Sequence, residues 1–139
     1  MPLKDCQFIK ISPDDIFRPA LPIRIINPHT NKSFFSYGII DTGADECAIP
    51  AEIASILGHK LDAGIKKDIS TGNGITAAYS HTTKFEVFHS NTLDLALTIN
   101  NTPVDFLPNL HVILIGVKNF LGNYVLNIDY PRERFSIFN

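Results

Sequence analysis

The residues best suited to chemistry are Asp41, Thr42 and Gly43, inside Gly38-Ile39-Ile40-Asp41-Thr42-Gly43-Ala44-Asp45. Ile39 and Ile40 place the carboxylate at the end of an apolar strand. A carboxylate there is costly to bury unless it is hydrogen-bonded. Thr42 offers a hydroxyl beside it. Gly43 has no side chain, so backbone or a substrate can come close. The plain alternative is that Asp41 sits in a surface turn or caps a helix. Further on, Ser70-Thr71-Gly72-Asn73-Gly74-Ile75-Thr76 carries an Asn-Gly pair, which favours a tight hairpin. It makes a poor phosphate loop, since no Lys-Ser/Thr follows and no helix is predicted after it.

Other chemistries find little support. The five histidines, His29, His59, His81, His89 and His111, lack metal-ligand spacing and read as turn or surface residues. No metal and no cofactor is expected. There is no Gly-x-Ser-x-Gly nucleophile elbow. Cys47 has no basic neighbour in sequence to lower its pKa, so it reads as a buried structural thiol. Lys66-Lys67 reads as a short solvated charge pair, and the same reading is open for Asp45-Glu46. Phe34, Phe35, Tyr37, Phe106 and Phe120 read as core.

The elements that must position Asp41 are mostly strands. Leu21, Ile23 and Ile25 alternate with Pro22, Arg24 and Ile26, the period of a half-buried strand. Residues 27–32 read as a loop and 33–40 as the returning strand of a hairpin. Phe85 and Val87 alternate with polar neighbours. Leu95, Leu97 and Ile99 alternate with Asp94, Ala96 and Thr98, and Tyr124, Leu126 and Ile128 alternate again. Val112-Ile113-Leu114-Ile115 is an apolar run fit for a strand buried on both faces. Phe135 and Ile137 mark a last strand. A short helix is expected after Pro50, on the stripe Ile53, Ile56 and Leu57, stopping at Gly58. A second is expected from Val117 to Leu121. Phe8, Ile9 and Ile11 could form an edge strand in an N-terminal extension, residues 1–19, that is otherwise uncertain. The class is all-β, a closed barrel-like fold with one or two short helices.

Length and composition agree. The 139 residues suit one domain, with 45% hydrophobic residues and a net charge of −2. The hydrophobic share is too high for a disordered chain. Balanced charge argues against a nucleic-acid partner. No apolar run approaches the ~18 residues of a membrane span, so no membrane partner is expected. Two cysteines, Cys6 and Cys47, make no disulfide framework. With no signal-peptide pattern, a cytoplasmic location is expected.

The chain resembles the retropepsin-like (retroviral-type) single-domain aspartic proteases. Asp41-Thr42-Gly43-Ala44-Asp45 matches their catalytic loop. Leu114-Ile115-Gly116, then Phe120-Leu121, matches their C-terminal hydrophobic-hydrophobic-Gly element. Residues 70–76 fall where the family carries its flap. The likeness covers about residues 20–138, so residues 1–139 read as one such domain. It implies the acid-protease fold and an aspartic endopeptidase, a hydrolase acting on a peptide or protein substrate. Asp41, Thr42 and Gly43 would be catalytic. Ala44, Asp45, Gly72, Asn73 and Gly74 would bind substrate.

Metal-free peptide hydrolysis needs a general base for water and a general acid for the reacting groups. Two close carboxylates sharing one proton supply both. The chain has one Asp-Thr-Gly, and Asp62-Ala63-Gly64 lacks the hydroxyl. The resemblance therefore implies a homodimer, with Asp41 of each copy meeting on the two-fold axis. Thr42 would brace the opposing loop. One departure stands out: the family commonly has Arg after the C-terminal glycine, and Val117 follows Gly116 here, with Lys118 next. That motivates a second reading, a weak or inactive peptide-binding domain on the same fold. A third is an unrelated small β-domain.

Overall fold

A computed structural model describes residues 3–72 and 74–139. The strands are β1 (Leu3–Gln7), β2 (Ala20–Ile26), β3 (Ser33–Ile40), β4 (Ala48–Pro50), β5 (Ile65–Thr71), β6 (Gly74–Phe88), β7 (Leu95–Leu107), β8 (Ile113–Ile115), β9 (Val125–Asp129) and β10 (Arg134–Phe138). One helical turn, α1 (Ile53–Ile56), and two 3-10 turns, at Leu61–Ala63 and Leu121–Asn123, complete the set. Among the described residues no helix is long and apolar enough to cross a membrane.

Alternation in β2 sends Leu21, Ile23 and Ile25 fully inward and leaves Arg24 exposed. β2 and β3 form the expected antiparallel hairpin, from Ala20 opposite Ile39 to Ile26 opposite Ser33. The large sheet runs β2-β3-β8-β4-β7-β6-β5, and β2 also pairs with β6. That pairing closes the first six strands into a barrel, which removes their free edges. β5 lies outside the ring, on β6. Phe85, Phe106 and Phe120 fill the barrel with the β2 side chains. Phe35 and Tyr37 differ from expectation. They stay 46% and 39% exposed, on the outer face of β3, where Phe35 packs on Tyr37 and Phe88.

α1 starts later than Pro50, which ends β4, and it lasts one turn. Ile53 and Leu57 are buried, but Ile56 stays 49% exposed and buried Ala54 takes its place on the inner face. Gly58 stops the helix as expected. Its φ of +75° suits glycine, and its N–H donates to Ser55 O while His59 N–H donates to Ala54 O. Those two bonds satisfy the last carbonyls of the turn. The helix expected from Val117 to Leu121 is instead a hydrogen-bonded turn followed by the 3-10 turn at Leu121–Asn123. Asn119, with φ of +62°, breaks the helical path.

The N-terminal strand lies earlier than Phe8–Ile11. β1 pairs with β10, and β10 with β9, in a three-stranded sheet. Leu3 and Cys6 are both fully buried, although their spacing of three breaks a strand's period of two. A β-bulge explains this. Leu3 opposes Ile137 and Cys6 opposes Phe135, so one extra residue sits between them, and Asp5 takes φ of +52°. Beyond β1 the chain makes one bridge, Ile9 to Arg18.

Candidate active site

β3 delivers Asp41. It pairs in parallel with β8, setting Ile39 beside Leu114 and Ile40 beside Ile115. Asp41 N–H then donates to Ile115 O at 3.0 Å. The chain turns at once: Gly43 N–H donates to Asp41 Oδ1 at 3.0 Å, and Ala44 N–H to Asp41 O at 3.2 Å. The first is an Asx turn, in which the carboxylate organises the loop that carries it. Asp41 is half-buried, whereas Thr42, Gly43 and Asp45 are exposed.

The segment after β8 braces this loop from below. Val117 N–H donates to Ala44 O at 3.0 Å, and Lys118 N–H to Asp45 O at 2.7 Å. Gly116 N–H reaches Cys47 Sγ at 3.4 Å. These are backbone donors, so Val117 braces the loop without an arginine side chain. Cys47 is 1% exposed, and burial pushes its thiol up to about 11, in keeping with a structural role.

Asp41 opens onto a cavity of about 570 Å³. Ile39, Val112 and Leu114 form its apolar wall, so β8 is buried on one face and lines the cavity with the other. The segment holding Ser12, Asp15 and Arg18 also lines it, and there Arg18 Nε bonds both Asp15 carboxylate oxygens at 2.9 Å.

β5 and β6 form the expected glycine-tipped hairpin, in register from Ile65 opposite Ser80 to Thr71 opposite Gly74. A Cβ added at Gly72 or Gly74 would meet nothing within 4 Å, and Asn73 is outside the described residues. Along the hairpin, Ile69 and Ala78 pack with Ala48, Leu107 and Leu114.

Three charges to which the sequence reading gave no role in the site gather here: Lys67, Glu46 and Asp105. Lys67, taken as solvated, hydrogen-bonds Glu46 Oε2 and lies 2.8 Å from Asp105 Oδ1. Hydrogen bonding from Lys67 holds the Glu46 carboxyl low, whereas burial pushes Asp105 up. Burial works against the Lys67 ammonium, but its bonds to Asp105 and Glu46 outweigh that and raise it. Asp105 carried a signal: a lone charge within Val104-Asp105-Phe106-Leu107 needs a partner if the strand is buried.

Two of the five histidines also differ from expectation. His59 and His81 stack with ring centres 4.5 Å apart, both against Phe106. His81 Nε2 lies 2.9 Å from Leu61 O. Burial, with His81 and His29 adding to it, pulls His59 down to about 4. Among the described residues no group of three or more His, Cys, Asp and Glu side chains is placed to hold a metal ion.

No protein-family model and no curated protein matches the sequence. Among solved structures, the chain matches the crystal structure of a retropepsin-like aspartic protease from Rickettsia conorii. The two are 18% identical, the match covers 99% of this chain and 90% of that one, and the TM-score is 0.61. At that identity the likeness shows a shared fold.

Proposed function

We propose that this chain is an aspartic endopeptidase that works as a homodimer, with Asp41 of each copy forming the catalytic pair. The carrying observation is Asp41 itself, its carboxylate held by Gly43 N–H and its backbone N–H bonded to Ile115 O, in the lining of a cavity. One carboxylate takes a proton from water as the water attacks the peptide carbonyl. The other gives its proton to the carbonyl oxygen. The resulting diol collapses as the nitrogen is protonated, releasing acid and amine and leaving the pair singly protonated for the next turnover.

The remaining roles follow from position. Thr42, exposed beside Asp41, would brace the partner's loop. Gly43, Ala44 and Asp45 would offer backbone groups to an extended peptide, which adds to the site as a strand. The β5–β6 hairpin would be the flap, its glycines at 72 and 74 presenting no side chain and able to approach a peptide backbone. The backbone brace under Ala44 and Asp45 weighs against the inactive-binder reading, because it holds the loop without an arginine side chain.

The test is cleavage of a diverse peptide mixture, read by mass spectrometry from acidic to neutral pH, with Asp41→Asn alongside. Cuts made by the wild type and lost in the variant are expected. Folded wild type that makes no cuts would favour the binding-domain reading.

A further inference from the structure

β5 is held on one side by β6, and no described strand pairs with its other edge. Its root nevertheless has a second tie. Lys67 reaches from β5 to Glu46, five residues past Asp41, and to Asp105 in β7. Asp105 is 5% exposed, and its carboxyl meets that ammonium and the Glu46 carboxyl. Asp105 N–H also bonds Cys47 O at 3.0 Å, which sets the two carboxylate-bearing segments side by side. One cation thus serves two carboxylates from two elements, and one of those follows directly on the Asp41 loop.

We propose that Lys67 is a positioning residue, a strut that fixes the root of the β5–β6 hairpin against the end of the Asp41 loop, so that the hairpin closes on a peptide from a defined hinge. The inference rests on reading the hairpin as a lid over the Asp41 site. A buried carboxylate holds its cation firmly, because leaving it alone in the interior is costly. The strut also tolerates acid. Asp105, raised by burial, takes a proton first, while Glu46 keeps its charge and its bond to Lys67. Lys118 adds its charge on the Glu46 side.

The test compares Lys67→Gln, which removes the cation, with Lys67→Arg, which restores it. Hydrogen exchange of β5 amides should run about tenfold faster in Lys67→Gln, with β2 and β8 unchanged and Lys67→Arg near wild type. On a cleaved peptide, KM should rise about tenfold while kcat changes less than about twofold. Lys67→Gln leaves two carboxylates facing each other, so Lys67→Gln with Glu46→Gln is measured as well and should free β5 equally. Unchanged β5 exchange in both variants would overturn the proposal. So would equal acceleration of β5 and the barrel, which marks general destabilisation. The exchange readout needs no turnover. If the wild type cleaves nothing yet Lys67→Gln still frees β5, the protease reading falls and the strut stands.

Discussion

A Cβ on Gly116 would lie 2.4 Å from the backbone oxygen of Glu46 and 2.9 Å from that of Ala44. The end of β8 and the Asp41 loop therefore meet backbone to backbone. Gly116→Ala has to push the loop away from its brace. Such overpacking should lower stability by about 1–3 kcal/mol, read by thermal melting. Displacing Asp41 by even ~1 Å should reduce kcat/KM on a cleaved peptide about 100-fold.

Val117 makes the opposite case. Its N–H supports Ala44 O, but its side chain is 38% exposed. Val117→Arg restores the residue common in the resembling family and should change stability by no more than about 0.5 kcal/mol. Peptide cleavage should stay within about threefold, since the brace is made by backbone. A large gain in activity would show that the departure from arginine does weaken the site.

The His59–His81 stack sets an acid limit. Burial first, then the charges of His81 and His29, depress His59 from 6.5 to about 4. A base depressed in the folded state contributes stability that is present above 6.5 and lost as pH falls toward 4. His59→Phe keeps a ring against His81 and Phe106 without the titration. The variant should gain on the wild type as pH falls through that window, by about 1–2 kcal/mol after allowing for partial solvation. Chemical denaturation at neutral and acidic pH measures it.

Asp105 works with the other sign. Burial raises its carboxyl above 3.8, so the folded state holds the proton more tightly than the unfolded chain. That contribution is full below 3.8 and is lost as pH rises through the raised value. The stability of the wild type relative to Asp105→Asn should therefore be greatest in acid and shrink toward neutral pH. Lys67, Glu46, Lys118 and Cys47 remain around the position in both proteins. A difference that grows with pH would contradict the assignment.

Much of this was legible in the residues. The alternation of Leu21, Ile23 and Ile25 gave β2, and Asn-Gly gave the hairpin tip, because both signals are local. Asp41-Thr42-Gly43 and Leu114-Ile115-Gly116 were recognisable as motifs, although their contact exists only through the parallel pairing of β3 with β8. β1 was misplaced because its bulge hides the period of two. The Val117–Leu121 helix failed because Asn119 accepts a left-handed φ that helix propensity does not foresee. The Lys67 cluster was invisible for a different reason. Lys67 and Glu46 look like ordinary surface charges, Asp105 alone stands out in an apolar strand, and the barrel topology brings the three together.

Mixing wild type with Asp41→Asn tests the central claim, that two Asp41 carboxylates from two copies act as one unit. The two proteins are combined in varying ratios at constant total concentration, left to exchange subunits, and assayed on one cleaved peptide. If a hybrid pair is inactive, activity follows the square of the wild-type fraction. A linear fall would mean that each chain works alone, and it would contradict the paired site.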